Sequence, residues 1–313
     1  MSTVPGPVTM PLRHLQRCAG LIGVEELPVV LGRDGRGGVV GASGAAPSAT
    51  EVDAALHRLG LLAAAEAGTA PEPCTPLAEL VAALCSAPDE VAVRRITGGG
   101  IARLCLATGP AAAWPGAAIG ATAGSGCAAA TRTPGDDAPV TLSWERSRNA
   151  GLMRFLGAAE PAVLPGPPVR VRLEELQRRL GGSHPAAAPD DSDAVSRGEC
   201  AAAFSACGVP PGAADAVAAV LCSVTAWSEV VRLRRGPAHA AELRAPGMNA
   251  SGPRTSAPCA TVPPAAMVVY DAPRGRLAAV PERTPDGALW VTVGPGDAAR
   301  IGRGLAALAA LEG

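Results

Sequence analysis

The chain contains no lysine; all 27 of its basic side chains are arginine. A Schiff-base enzyme needs an amine nucleophile, and a Walker-type loop needs its lysine at the phosphates, so both classes are excluded. Neither sign of charge is in excess. A formal net charge of -1 leaves no basic excess to neutralise phosphates, which argues against nucleic acid and against charge-driven binding to an anionic membrane. Aromatic residues are scarce, with two phenylalanines and one tyrosine, while alanine, glycine, proline, arginine and valine are over-used. Such a bias is typical of a GC-rich genome and blunts arguments from residue propensity. No Cys-x-x-Cys pair occurs among the nine cysteines, at positions 18, 74, 85, 105, 127, 200, 207, 222 and 259, and no histidine stands at ligand spacing from them. An odd, scattered set points to reduced, packed thiols, and neither a metal site nor a cofactor is expected.

Long apolar runs are absent as well. The longest, Ala213 to Trp227, is interrupted by Asp215 and Thr225 and is too short to cross a bilayer. Met1 to Met10 carry no basic region of the kind that opens a signal peptide, so a soluble, cytoplasmic protein without membrane insertion is the expectation.

What is present is a chain of 313 residues, 48% hydrophobic, long enough for a sizeable core. Gly32 to Ser48, Gly181 to Arg197 and Ala245 to Pro264 read as loops from their glycine, proline and serine content. Before the middle break, helices are predicted from Ala49 to Ala65, capped by Thr50, and from Pro76 to Ala87. The strands Glu90 to Thr97 and Ile101 to Thr108 follow, joined at Gly98-Gly99-Gly100, and two weak strands are assigned within Ala111 to Arg132. After the break come helices Gly198 to Ala206 and Pro211 to Val224. Strands are then predicted at Trp227 to Arg234, Ala238 to Leu243, Ala266 to Asp271, Arg276 to Val280 and Leu289 to Val293. Asp297 caps a closing helix whose Ile301, Leu305, Leu308 and Leu311 share one face. Each part reads helix, helix, hairpin, more strands. The predicted class is α+β, a central and mainly antiparallel sheet flanked by helical bundles, in a single domain of two related halves, about 1–180 and 198–313, joined by 181–197.

Five blocks of residues narrow this further. They are Gly23-Val24-Glu25-Glu26-Leu27-Pro28-Val29-Val30-Leu31; Ala87-Pro88-Asp89-Glu90-Val91; Gly208-Val209-Pro210; the strand and turn Val269 to Leu277; and Asp286 to Asp297, which includes Asp286-Gly287-Ala288-Leu289-Trp290. With them the chain resembles the EspG family, cytosolic chaperones of actinobacterial type VII (ESX) secretion, over nearly its whole length. Ala272 departs from the threonine usual in the family's strand-turn motif. The resemblance implies a central sheet with helical bundles related by an approximate internal twofold. It also implies a partner, the helical tip of a PPE protein within a PE-PPE heterodimer, which the protein would keep soluble and deliver to the secretion machine. A weak homodimer is compatible with it.

Binding such a tip calls for an exposed apolar surface with a polar rim rather than for catalytic side chains. The family's contact regions fall here on the hairpin loop Thr97, Gly98, Gly99 and Gly100 and on the helix bearing Val220, Leu221 and Val224. Arg232, Arg234 and Arg235 are candidates for a positive rim, and Asp136 with Asp137 for a negative one. Two other classes compete: a small-molecule binding protein and an uncharacterised α+β enzyme. The second has little to build on, because His14, His57, His184 and His239 lie in separate segments, and Gly120 to Gly126 resembles a phosphate loop only in its glycines.

Overall fold

The computed structural model describes residues 6–24, 27–32, 48–63, 71–108, 126–135, 138–180, 195–234 and 266–311. Contacts divide the chain into two units. The first comprises 1–92, 102–151 and 233–262, and the second 93–101, 152–232 and 263–313.

In the first unit, β1 (Val8–Met10), α1 (Leu12–Leu21), α2 (Ala49–Arg58) and α3 (Thr75–Ser86) precede β2 (Asp89–Thr97), β3 (Gly100–Ala107), β4 (Cys127–Arg132), β5 (Val140–Glu145) and α4 (Arg148–Leu156). The order of strands is β1-β5-β4-β3-β2, with antiparallel registers such as Leu106 opposite Ala129 and Val8 opposite Leu142. The tip of the β2–β3 hairpin and the end of α4 are assigned to the second unit.

The second unit continues with β6 (Val169–Arg172), α5 (Leu173–Arg179), α6 (Arg197–Ala206), α7 (Pro211–Leu221), β7 (Ala226–Arg234), β8 (Ala266–Ala272), β9 (Gly275–Arg283), β10 (Leu289–Pro295) and α8 (Ala298–Ala310). Its strand order is β7-β8-β9-β10-β6, again antiparallel, with Leu233 and Arg234 at the end of β7 falling in the first unit. The α+β class and antiparallel sheet expected from the sequence are thus what the chain adopts. Element order recurs: a strand, three helices, four strands and a helix run from β1 to α4 and again from β6 to α8, and in each run the first strand pairs with the last.

Local chemistry explains these boundaries. Ser48, two residues ahead of the expected Thr50, caps α2: the Glu51 backbone N–H donates to Ser48 Oγ at 3.3 Å, and the Ser48 N–H donates to the Glu51 carboxylate at 2.7 Å. Ser196 and Glu199 repeat this box at the start of α6, with bonds of 3.2 and 2.9 Å. Alanine at Ser48 or Ser196 should each lower unfolding free energy by about 1 kcal/mol, checked by urea denaturation. The second helix ends at Arg58 rather than near residue 65. Gly60 takes a left-handed φ of +68°, its N–H bonds the His57 carbonyl, and the apolar Leu61 and Leu62 continue as loop instead of helix.

In the described part of the alanine-rich region, β4 has a physical reason for showing no sequence period. Cys127, Ala128, Ala129 and Ala130 are all buried, so β4 has no solvent face and hence no alternation to read. Residues 109–125 and the expected strand Ala238 to Leu243 lie outside the described residues. One core gathers α1, α2 and α3 over the first unit's strands through Leu15, Leu56, Leu80, Leu84 and Leu142. The other gathers α6 and α7 over β8, β9 and β10 through Phe204, Val217, Tyr270, Leu277 and Val293.

Candidate partner-binding surface

The β2–β3 hairpin ends in a glycine turn held by one hydroxyl. Thr97 Oγ1 accepts from the Gly99 N–H at 3.2 Å and donates to the Gly100 carbonyl at 3.3 Å, while Gly100 itself has φ +118°. Gly98 and Gly99 are exposed, and a methyl group added at Gly98 would meet nothing within 4 Å. The tip is therefore sterically open to a partner.

Lower on the same hairpin, Arg94 pairs with Glu229 of β7, its Nε 3.0 Å from the carboxylate. Arg95 turns the other way and binds Asp271 at 2.9 Å.

The helical candidates divide by burial. Val220 and Leu221 are 3% and 5% exposed and belong to the second unit's core, facing inward from α7. Val224 lies beyond the Cys222 cap, in the turn to β7, and is half-buried. The helix stops three residues short of the expected Val224 because Ser223 turns its hydroxyl back onto the Ala219 and Val220 carbonyls. On β7, Arg232 is half-buried and Arg234 is exposed. Asp136, Asp137 and Arg235 lie outside the described residues.

One concavity was not singled out in the sequence. An open groove of about 550 Å³ between α5 and α6 has Ala202, Ala203 and Ala206 on its floor and Glu175, Arg178, Arg179 and Glu199 on its walls. The charges neutralise one another: Glu175 pairs with both Arg178 and Arg179, and the bond from Arg179 chiefly holds its carboxyl below the usual range. The signal available in the sequence was the charge spacing in Glu175-Leu176-Gln177-Arg178-Arg179.

The strand-turn motif near the C-terminus is a buried ionic knot. Asp271 and Arg276 face each other across the β8–β9 hairpin; Arg276 Nε donates to Asp271 Oδ1 at 2.5 Å and Nη2 to Oδ2 at 3.2 Å. The remaining guanidinium donors reach the Leu156 and Gly157 carbonyls at 3.0 and 3.1 Å, tying the end of α4 to the sheet. Trp290 on β10 carries the Arg170 guanidinium over its ring at 4.7 Å. These signature residues thus hold the fold together.

Among the described residues, no group of three or more histidine, cysteine or acidic side chains could hold a metal ion, and no helix is long and apolar enough to cross a membrane. Burial, followed by the charge of Arg13, lowers the pKa of His14 on α1. The other described histidine, His57, sits on α2.

The class defined by this arrangement is an α+β protein whose two units each lay helices on an antiparallel sheet, with its signature motif spent on a hairpin corner. The EspG family model matches residues 11–307, and the chain belongs to the EspG family. Among solved structures it is similar to the Mycobacterium tuberculosis type VII secretion system chaperone EspG5 in its complex with the PE25-PPE41 dimer. That likeness has a TM-score of 0.61 at 12% identity, covering 97% of this chain and 95% of that one. No curated protein matches the sequence.

Proposed function

We propose that this chain is a cytosolic specificity chaperone that binds the helical tip of a PPE protein within a PE-PPE heterodimer, keeps it soluble and delivers it to a type VII secretion system. It acts by binding, without catalysis. The observation that carries this reading is membership of the EspG family over residues 11–307, and the similar fold of EspG5, solved with a PE25-PPE41 dimer, supports it. The recurrent element order supports one domain built from two related halves.

Within the reading, the contact residues of the second unit are the open hairpin tip Thr97 to Gly100, Val224 and Arg232 of β7. Val220 and Leu221 shape them from behind, because their side chains are committed to the core. Arg232, Arg234 and Arg235 remain the proposed positive contact residues, and Asp136 and Asp137 the proposed negative ones. Rim charges act mainly through association rate and its salt dependence.

Co-expression with a PPE candidate encoded nearby tests the function. A soluble ternary complex that forms only with this chain is expected, and failure with every local PE-PPE pair overturns the reading. The surface has its own test. Replacing both Arg234 and Arg235 with glutamate should weaken partner capture about tenfold, more at low salt than at high. Unchanged affinity by calorimetry would remove the arginines from the rim.

A further inference from the structure

The two arginines at the root of the β2–β3 hairpin are spent on opposite faces of the sheet. Successive side chains of a strand alternate in direction, so Arg94 and Arg95, just before Thr97, turn apart. Arg94 Nε and Nη2 both donate to Glu229 Oε2 on β7, Nε at 3.0 Å. Arg95 pairs through Nη2 with Asp271 Oδ2 at 2.9 Å and donates through Nη1 to the Leu156 carbonyl. Arg276 binds the same two acceptors, which closes a ring in which each guanidinium holds both the carboxylate and the backbone carbonyl. All of these residues belong to the second unit.

The tip above this root has little of its own to keep its shape. Gly98, Gly99 and Gly100 carry no side chain, and the Thr97 hydroxyl spans the turn with bonds of 3.2 and 3.3 Å. Glycine surrenders more backbone freedom on ordering than any other residue, so a tip left free would give back part of the affinity of any complex it joins. A tip ordered in advance avoids that cost. The two pairs differ in setting. The Arg94 and Glu229 side chains are 53% and 26% exposed, so their pair contributes little to global stability. Arg95 and Asp271 are more enclosed, and Asp271 is the carboxylate that Arg276 already holds, so the hairpin root is tied to the family's strand-turn motif.

We propose that the Arg94–Glu229 and Arg95–Asp271 pairs form a two-sided clamp on the hairpin root, which sets partner affinity by holding the tip Thr97 to Gly100 in its binding pose. The four side chains are positioning residues: they act through the tip and do not themselves touch the partner. The inference rests on the reading of that tip as partner surface. It gives the Asp271–Arg276 corner a second task. The carboxylate and the Leu156 carbonyl that brace the end of α4 against the sheet are the same acceptors that orient the hairpin through Arg95.

The full chain is tested first without a partner, by amide order parameters from nitrogen relaxation. In the wild type Gly98, Gly99 and Gly100 should give rigid values of about 0.85, and in Glu229→Arg, which sets two cations against each other, and in Arg95→Gln they should fall below about 0.6 while the strands keep theirs. Arg94→Glu combined with Glu229→Arg rebuilds an opposite pair with its ends exchanged and should restore the rigid values. The second arm measures affinity for a PE-PPE heterodimer captured by co-expression. Glu229→Arg should weaken it about three- to tenfold, and the exchanged pair should recover it. A mobile tip in the wild type, a tip unmoved in both single variants, or mobility that spreads equally through the strands overturns the proposal. So does an exchanged pair that orders the tip without recovering affinity, because Arg94 would then be a direct contact. Should no heterodimer be captured, the chaperone reading fails while the order parameters still decide the clamp. Arg95→Lys replaces Arg95→Gln should loss of the enclosed pair prevent folding.

Discussion

Arg276→Ala should destabilise the protein by about 3–5 kcal/mol, the range for breaking a buried, hydrogen-bonded ion pair from one side. Arg276 is 1% exposed, and its guanidinium satisfies both Asp271 oxygens and the carbonyls of Leu156 and Gly157. Alanine removes every one of those donors, although the Leu156 carbonyl keeps a bond from the Arg95 guanidinium. Asp271 is not abandoned, because Arg95 also binds it at 2.9 Å, and this keeps the loss below that of an isolated buried carboxylate. Arg276→Lys should recover only part of the stability: an ammonium keeps the charge but cannot reach four acceptors in one plane. Urea unfolding measures both variants, and the Arg276→Ala loss should change little between low and high salt, because the pair is shielded from counterions. A loss under about 1 kcal/mol would show the knot to be dispensable.

The same residues show how much of the fold could be read in advance. Helices α3, α6 and α7 and strands β2, β3, β7, β8, β9 and β10 carry sharp punctuation: Pro76 and Pro211 at helix starts, glycine turns, and apolar runs of strand length. Elements without it were missed. The strand β1 has three residues and β6 has four, too few for a period to emerge, while β5 and α4 adjoin across two residues, so a strand pattern runs straight into a helical one. Asp271 and Arg276 could have been paired from the sequence, since a two-residue Pro273-Arg274 turn sets residues 271 and 276 opposite each other on neighbouring strands. The partner surface was less legible. An apolar residue on a helix reads alike whether it faces a core or a partner, and Val220, Leu221 and Val224 were indistinguishable until burial separated the first two from the third.

Gly275→Ala should cost about 3 kcal/mol or more, through two effects that a control can separate. The first is conformational. Gly275 has φ +106°, where a β-carbon adds roughly 1–2 kcal/mol of backbone strain. The second is steric, and here the neighbours cannot yield. A β-carbon would lie 2.7 Å from both N and Cα of Ala162 and 2.9 Å from the Pro161 carbonyl carbon, all backbone atoms. They are fixed by the strand-like bridge in which Arg276 N–H donates to Glu160 at 2.7 Å and Ala162 N–H donates to Arg276 at 2.9 Å. Opening that bridge to admit a methyl group would also shift the Arg276 guanidinium from its acceptors, so the two largest losses are coupled rather than additive. Gly287 isolates the conformational part: its φ is +83° and an added β-carbon there meets nothing within 4 Å. Gly287→Ala should therefore cost only about 1–2 kcal/mol, and Gly98→Ala, with open space and no left-handed φ, should fall within about 0.5 kcal/mol of the wild type. Equal losses for Gly275→Ala and Gly287→Ala in parallel urea titrations would mean that the contact with Ala162 gives way freely. A larger loss at Gly275 locates the constraint in the close approach of residues 160–162 to the hairpin corner, which makes glycine at this point of the family motif a steric requirement.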